Sequence, residues 1–82
     1  MNNHRFTDEQ VAEALRIIVD PNRTGSPGAS LLQRRMRIGY ALAAELIDFF
    51  EEKKVISLMV EGYKPRLVLA HSLSEARRLV AS

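Results

Sequence analysis

A mainly α member of the α+β class, three helices followed by a two-stranded hairpin and a short fourth helix, is predicted by three observations. Residues 31–47 read as a short helix, a glycine-marked turn at Ile38-Gly39 and a second helix, the pattern of a helix-turn-helix. Two apolar runs, Val55–Val60 and Arg66–Ala70, flank Glu61-Gly62-Tyr63-Lys64-Pro65, whose glycine and proline mark a hairpin turn. Two segments, beginning at Thr7 and at Ser72, carry helix-start signals ahead of apolar residues at helical spacing. The sum is a winged helix-turn-helix with an added C-terminal helix.

The first helix is expected from about Asp8 to Val19. Thr7 can cap it, Gln10 three residues later can complete a capping box, and Asp8 and Glu9 suit the positive end of the helix dipole. Val11, Leu15, Ile18 and Val19 recur on one face, with Ala14 and Ile17 widening the stripe. Residues 20–28 then pack two prolines and two glycines into one stretch, which predicts an extended, mobile loop. The second helix starts at Ser30, or at Gly28 with Ser26 nearby, and ends around Met36. The third runs from Tyr40 to about Lys53, with Tyr40, Ala43, Ile47 and Phe50 as its core stripe and alanines that let another helix approach closely. Ser72 and Glu75 form a second capping box, followed by Leu73, Ala76, Leu79 and Val80.

The chain has 82 residues, 46% of them hydrophobic and none cysteine. One small core is all it can build, without disulfide or cysteine-zinc support, and a two-domain enzyme is excluded. The division expected is 1–71 for the winged domain and 72–82 for the terminal helix. The first residues contain no apolar signal core and no stretch is long enough to span a bilayer, so a cytoplasmic protein with no membrane partner is expected.

Net charge is only +2, but its distribution is uneven. Residues 25–44 hold three positive charges and no negative ones, 45–52 hold four negative and no positive, and 55–82 hold four positive against two negative. Basic zones therefore flank an acidic helix face. Arg34, Arg35 and Arg37 beside a helix-turn-helix point to a phosphate backbone, against the plainer reading of a solvated helix face. Lys64 and Arg66 on the hairpin are candidates for phosphate or minor-groove contact, or ordinary solubilising charges. Tyr40 reads first as a core residue, and second as a ring that can stack on a base. Glu45, Asp48, Glu51 and Glu52 are read as a solvated face and not as an acid-base or metal site. His4 and His71 lack second ligands at useful spacing, so neither a metal nor a cofactor is expected, and no catalytic constellation is present.

The run Ser30-Leu31-Leu32-Gln33-Arg34-Arg35-Met36-Arg37-Ile38-Gly39-Tyr40, then Ala43-Ala44 with Leu46-Ile47-Asp48, then Val55-Ile56, then Lys64-Pro65-Arg66 with Val68-Leu69, resembles the C-terminal gamma domain of FtsK/SpoIIIE-type DNA translocases. The resemblance covers most of residues 7–70 and implies a winged-helix module that binds double-stranded DNA at short chromosome-orienting sequences. It also implies a link to chromosome segregation and contact with a tyrosine recombinase or a translocase partner. The motor is missing, since the chain has no Walker A loop. Where the family places an Asn or Ala and then two arginines on the outward face of the third helix, this chain has Ala41, Leu42 and Glu45. Lost guanidiniums remove donors for guanine O6 and N7, worth about 1–3 kcal/mol of discrimination each, so phosphate-dominated binding with weak sequence readout is expected.

Leu42, Glu45 and Phe49 instead suggest a protein interface, because an exposed Leu and Phe on one helix face forgo burial. The most economical occupant is a second copy of the chain, with the C-terminal helix as a competing dimer element. The two functional expectations are thus a non-enzymatic DNA-binding accessory protein and, as the alternative, a protein-interaction module on the same scaffold. Basic residues favour the first, the Leu42–Phe49 face the second.

Overall fold

The computed structural model describes residues 5–57 and 67–82. Within them lie four helices: α1 (Asp8–Val19), α2 (Ala29–Met36), α3 (Tyr40–Glu52) and α4 (Leu73–Ala81). Helix α2 packs on α3, and α1 packs on both α2 and α4.

Helix α1 starts as its sequence dictates. The Gln10 amide donates to Thr7 Oγ1 at 3.1 Å and the Thr7 amide donates to Gln10 Oε1 at 2.9 Å, so both halves of the capping box form. At the other end the Asp20 carboxylate accepts the Asn22 amide at 2.9 Å, turning the chain at Pro21. The loop that follows is pinned by fully buried Pro27. Gly25 adopts a left-handed φ of 90°, with Arg34 Nη2 3.7 Å from where a β-carbon would stand. Gly28, extended and without a side-chain bond, is the N-cap of α2.

Helix α3 ends in a Schellman motif. The Val55 amide donates to the Phe50 carbonyl at 2.9 Å and the Lys54 amide to the Glu51 carbonyl at 3.1 Å, while Lys54 takes the left-handed position at φ 67°. This closure folds Val55 and Ile56 under the helix, where both are buried. Beyond them Ile56 and Val68 form an isolated antiparallel bridge, supported by Ser57 N to Leu67 O and Leu69 N to Val55 O, both 2.8 Å. Leu67 and Leu69 are exposed while Val68 is half-buried and Ala70 buried, an alternation of period two. The expected pair of strands is therefore present among the described residues only as this bridge. The hairpin turn expected between them, with Lys64 and Arg66, falls outside the described residues.

The core is continuous across the helices. Leu15 and Ile18 of α1, Leu31 and Leu32 of α2, Leu46, Ile47 and Phe50 of α3, and Ala76 of α4 are all essentially solvent-free. Helix α4 is capped by Ser72, whose Oγ accepts the Glu75 amide at 3.1 Å. The second capping box closes differently from expectation, because Glu75 Oε1 accepts the amide of His71 rather than that of Ser72. No helix among the described residues is long and apolar enough to cross a membrane.

Candidate nucleic-acid interface

The helix-turn-helix is α2, Arg37-Ile38-Gly39 and α3. Its turn is not made by glycine. Arg37 occupies the left-handed region at φ 55°, ψ 47° as the C-cap of α2, whereas Gly39 is extended at φ −73°, ψ 164° and serves as the N-cap of α3. A left-handed arginine is costly because its β-carbon crowds the following carbonyl, by about 1–2 kcal/mol. The same backbone conformation directs an exposed guanidinium from the turn itself.

Arg34 and Arg35, in the last turn of α2, are exposed as well, and none of these three arginines forms an ion pair among the described residues. Gly39 leaves the first turn of α3 without a side-chain cap, and Tyr40, at its first position, is 64% exposed. Tyr40 thus departs from the core stripe expected of it. The stripe begins at Ala43, one turn later, because the core ends before the helix does. Arg37 and Tyr40 flank the exposed turn, Arg34 and Arg35 precede it in the last turn of α2, and the Arg34 guanidinium lies toward the preceding loop, its Nη2 3.7 Å from the β-carbon position of Gly25.

The outward face of α3 carries Ala41, Glu45, Asp48 and Glu52, and the helix contains no Lys or Arg. Phe49 is not free in solvent. Its ring meets Phe6 at 5.2 Å and Phe50 at 6.0 Å between centroids, and Lys53 Nζ sits 5.8 Å from its centre. Leu42 is half-buried. Part of the burial that a second copy over Phe49 would supply is already provided within the chain, by Phe6, and Phe49 is half-buried.

Glu45 is held too. Arg5 Nε donates to Glu45 Oε2 at 2.6 Å and the Arg5 amide donates to Oε1 at 3.2 Å, so one residue forty positions away in sequence occupies both carboxylate oxygens. Sequence reasoning missed Arg5 because a pairing over that separation leaves no local periodicity. A signal for its neighbour did exist: Phe6 stands just before N-cap Thr7 and Val11 four positions into α1, the spacing of a hydrophobic staple that fixes how the chain enters a helix. Among the described residues, no group of three or more His, Asp or Glu side chains is placed to hold a metal.

Residues 5–71 match the family model of the FtsK gamma domain. The DNA translocase FtsK of Clostridium tetani is 45% identical over 67 residues, spanning 82% of this chain and 8% of that protein. The DNA translocase SpoIIIE of Bacillus subtilis is 49% identical over 63 residues, 77% of this chain and 8% of that protein. The DNA translocase FtsK of Chlamydia pneumoniae is 44% identical over 68 residues, 83% of this chain and again 8% of the relative. The chain therefore spans less than a tenth of the length of these relatives, and α4 lies beyond the matched region. No solved structure matches it.

Proposed function

The chain belongs to the FtsK gamma-domain family, and from that premise we propose that it is a non-enzymatic accessory protein that binds double-stranded DNA through its helix-turn-helix, mainly by phosphate contacts. One observation carries the reading: Arg34 and Arg35 in the last turn of α2 and Arg37 at its C-cap stand exposed and unpaired among the described residues, just ahead of the uncapped start of α3 in the chain. Exposed guanidiniums suit phosphate oxygens, which accept paired N–H donors in the plane of the guanidinium fork. The hairpin of residues 55–70 is proposed as the wing, with Lys64 and Arg66 as its contribution to the backbone. A site in the cytoplasm, on chromosomal DNA handled by a translocase, follows from the same reading.

Sequence readout is proposed to be weak. The outward face of α3 offers small and acidic side chains where base edges need donors. The test is a salt titration of binding to an orienting-sequence duplex and to a scrambled one. Reversing Arg35 and Arg37 to Glu is expected to weaken binding to both duplexes alike and to lower the salt slope by about one per lost contact. Unchanged binding in both variants removes this surface as the DNA site, and a strong preference of the parent for the orienting sequence refutes weak readout.

A second reading is favoured by the exposed side chains of Leu67 and Leu69, 63% and 43% accessible. In it the scaffold docks a tyrosine recombinase, a translocase or a second copy of itself. Light scattering on the titration sample separates a dimer from a monomer.

A further inference from the structure

We propose that Arg5 is a DNA-contacting residue and that Glu45 is the residue that positions it, so that the third helix borrows from the N-terminal segment a guanidinium its own sequence lacks. The inference rests on the reading of the helix-turn-helix as a DNA site. Helix α3 carries no Lys or Arg, and its outward face consists of Ala41, Glu45, Asp48 and Glu52. On sequence alone Glu45 repels a phosphate backbone. The structure gives it another role, because both of its oxygens are engaged by Arg5, at 2.6 Å from Nε and 3.2 Å from the backbone amide.

The mode of pairing decides the rest. Arginine binds a carboxylate most strongly through two parallel N–H donors of its fork. Here the second oxygen is taken by the main chain, so only Nε of the guanidinium is used, and Nη1 and Nη2 have no acceptor among the described residues. The Arg5 side chain remains 68% exposed while that of Glu45 is 28% exposed. The carboxylate is thus partly covered and neutralised while the donors beyond it face outward. Phe6, seated on Phe49, fixes the next residue of the segment to the same helix. A guanidinium held at Nε and at its own backbone loses less freedom on binding than one on a free tail. The two NH2 groups of this exposed guanidinium, beside a reading helix, fit the acceptors of duplex DNA, phosphate oxygens or guanine O6 and N7.

Two accounts of Glu45 make opposite forecasts, and a double-mutant cycle measured by fluorescence anisotropy on a short labelled duplex distinguishes them. Arg5→Ala is expected to weaken binding about tenfold, the scale of one charge-assisted hydrogen bond, and to lower the salt slope by about one. Glu45→Ala removes a negative charge yet is expected to weaken binding roughly twofold to fivefold, because Arg5 is no longer held. In the Arg5→Ala background the same Glu45→Ala change is expected to strengthen binding, since no guanidinium is then left for Glu45 to hold and its repulsion of phosphate is relieved. Arg5→Lys keeps the charge without the fork, and is expected to retain the salt slope while losing part of the affinity.

If Glu45→Ala strengthens binding with Arg5 present, or if Arg5→Ala leaves affinity unchanged, the proposal is overturned. Helical circular dichroism of each variant checks that the effect is not unfolding. The Arg35 and Arg37 reversals are measured alongside: if they weaken binding while Arg5→Ala does not, only this inference falls, and if none of them has an effect, the DNA reading itself falls.

Discussion

Arg37 combines a backbone cost with a proposed binding role, and a single substitution is expected to move the two in opposite directions. At φ 55° and ψ 47° it stands in the left-handed basin, where any side chain with a β-carbon is disfavoured by about 1–2 kcal/mol. Arg37→Gly relieves that cost but adds freedom to the unfolded chain, worth about 0.4–1 kcal/mol in the other direction. The net expectation is a gain of about 0.5–1 kcal/mol, which for a domain of this size raises the thermal midpoint by roughly 2–8 °C. The same change deletes a guanidinium beside α3, and on the proposed function it lowers DNA affinity and the salt slope by about one contact. Arg37→Ala separates the effects: it keeps the β-carbon, so the midpoint stays where it was, while DNA binding falls as in the glycine variant. Differential scanning calorimetry and anisotropy on the same preparations give both numbers. A glycine variant that melts lower than the alanine variant refutes the backbone argument, and one that binds DNA as the parent does removes Arg37 from the interface.

Lys54, left-handed at φ 67° in the Schellman closure of α3, is a second position where glycine is expected to stabilise, by about 0.5–1 kcal/mol, read as a higher midpoint in thermal melts. Phe49→Asp is expected to destabilise the monomer by at least about 2 kcal/mol, because it removes the ring seated between Phe6 and Phe50 and puts a carboxylate in its place. An unchanged melting midpoint, with loss only of self-association, would return Phe49 to the role of a surface residue.

The helices were legible because their signals are local. Thr7 with Gln10, the 3.6-residue recurrence of Leu15 and Ile18, and the Ser72 cap each lie within a few residues of what they specify. Tyr40 shows where periodicity runs out. A stripe says which face turns inward, but not how far along the helix the core extends, and here it stops at Ala43. The turn has a similar limit: Gly39 marks it in the sequence, yet the left-handed position falls to Arg37, which propensity does not favour there. The Arg5–Glu45 pair and the Phe6–Phe49 contact join segments forty or more positions apart, and such pairings become visible only once α1 has been placed on the other helices.

These long-range contacts alter what the acidic helix means. Read one residue at a time, Glu45 and Phe49 look like a surface turned from DNA toward a protein partner. In the fold, Phe49 packs on Phe6 and stays half-buried, and Glu45 is paired with Arg5, so part of what these residues seek from an outside partner is supplied from within the chain. The negative charge left on the outward face of α3 belongs to Asp48 and Glu52, toward its C-terminal half, while Arg34, Arg35 and Arg37 precede its N-terminal end in the chain. A duplex approaching along the proposed interface therefore meets like charge only if it extends past Glu45. The balance between the two ends decides affinity, and removing Asp48 and Glu52 is the counterpart of removing the arginines: charge neutralisation there strengthens non-specific binding if the duplex extends along α3, and changes nothing if it is held at the turn alone.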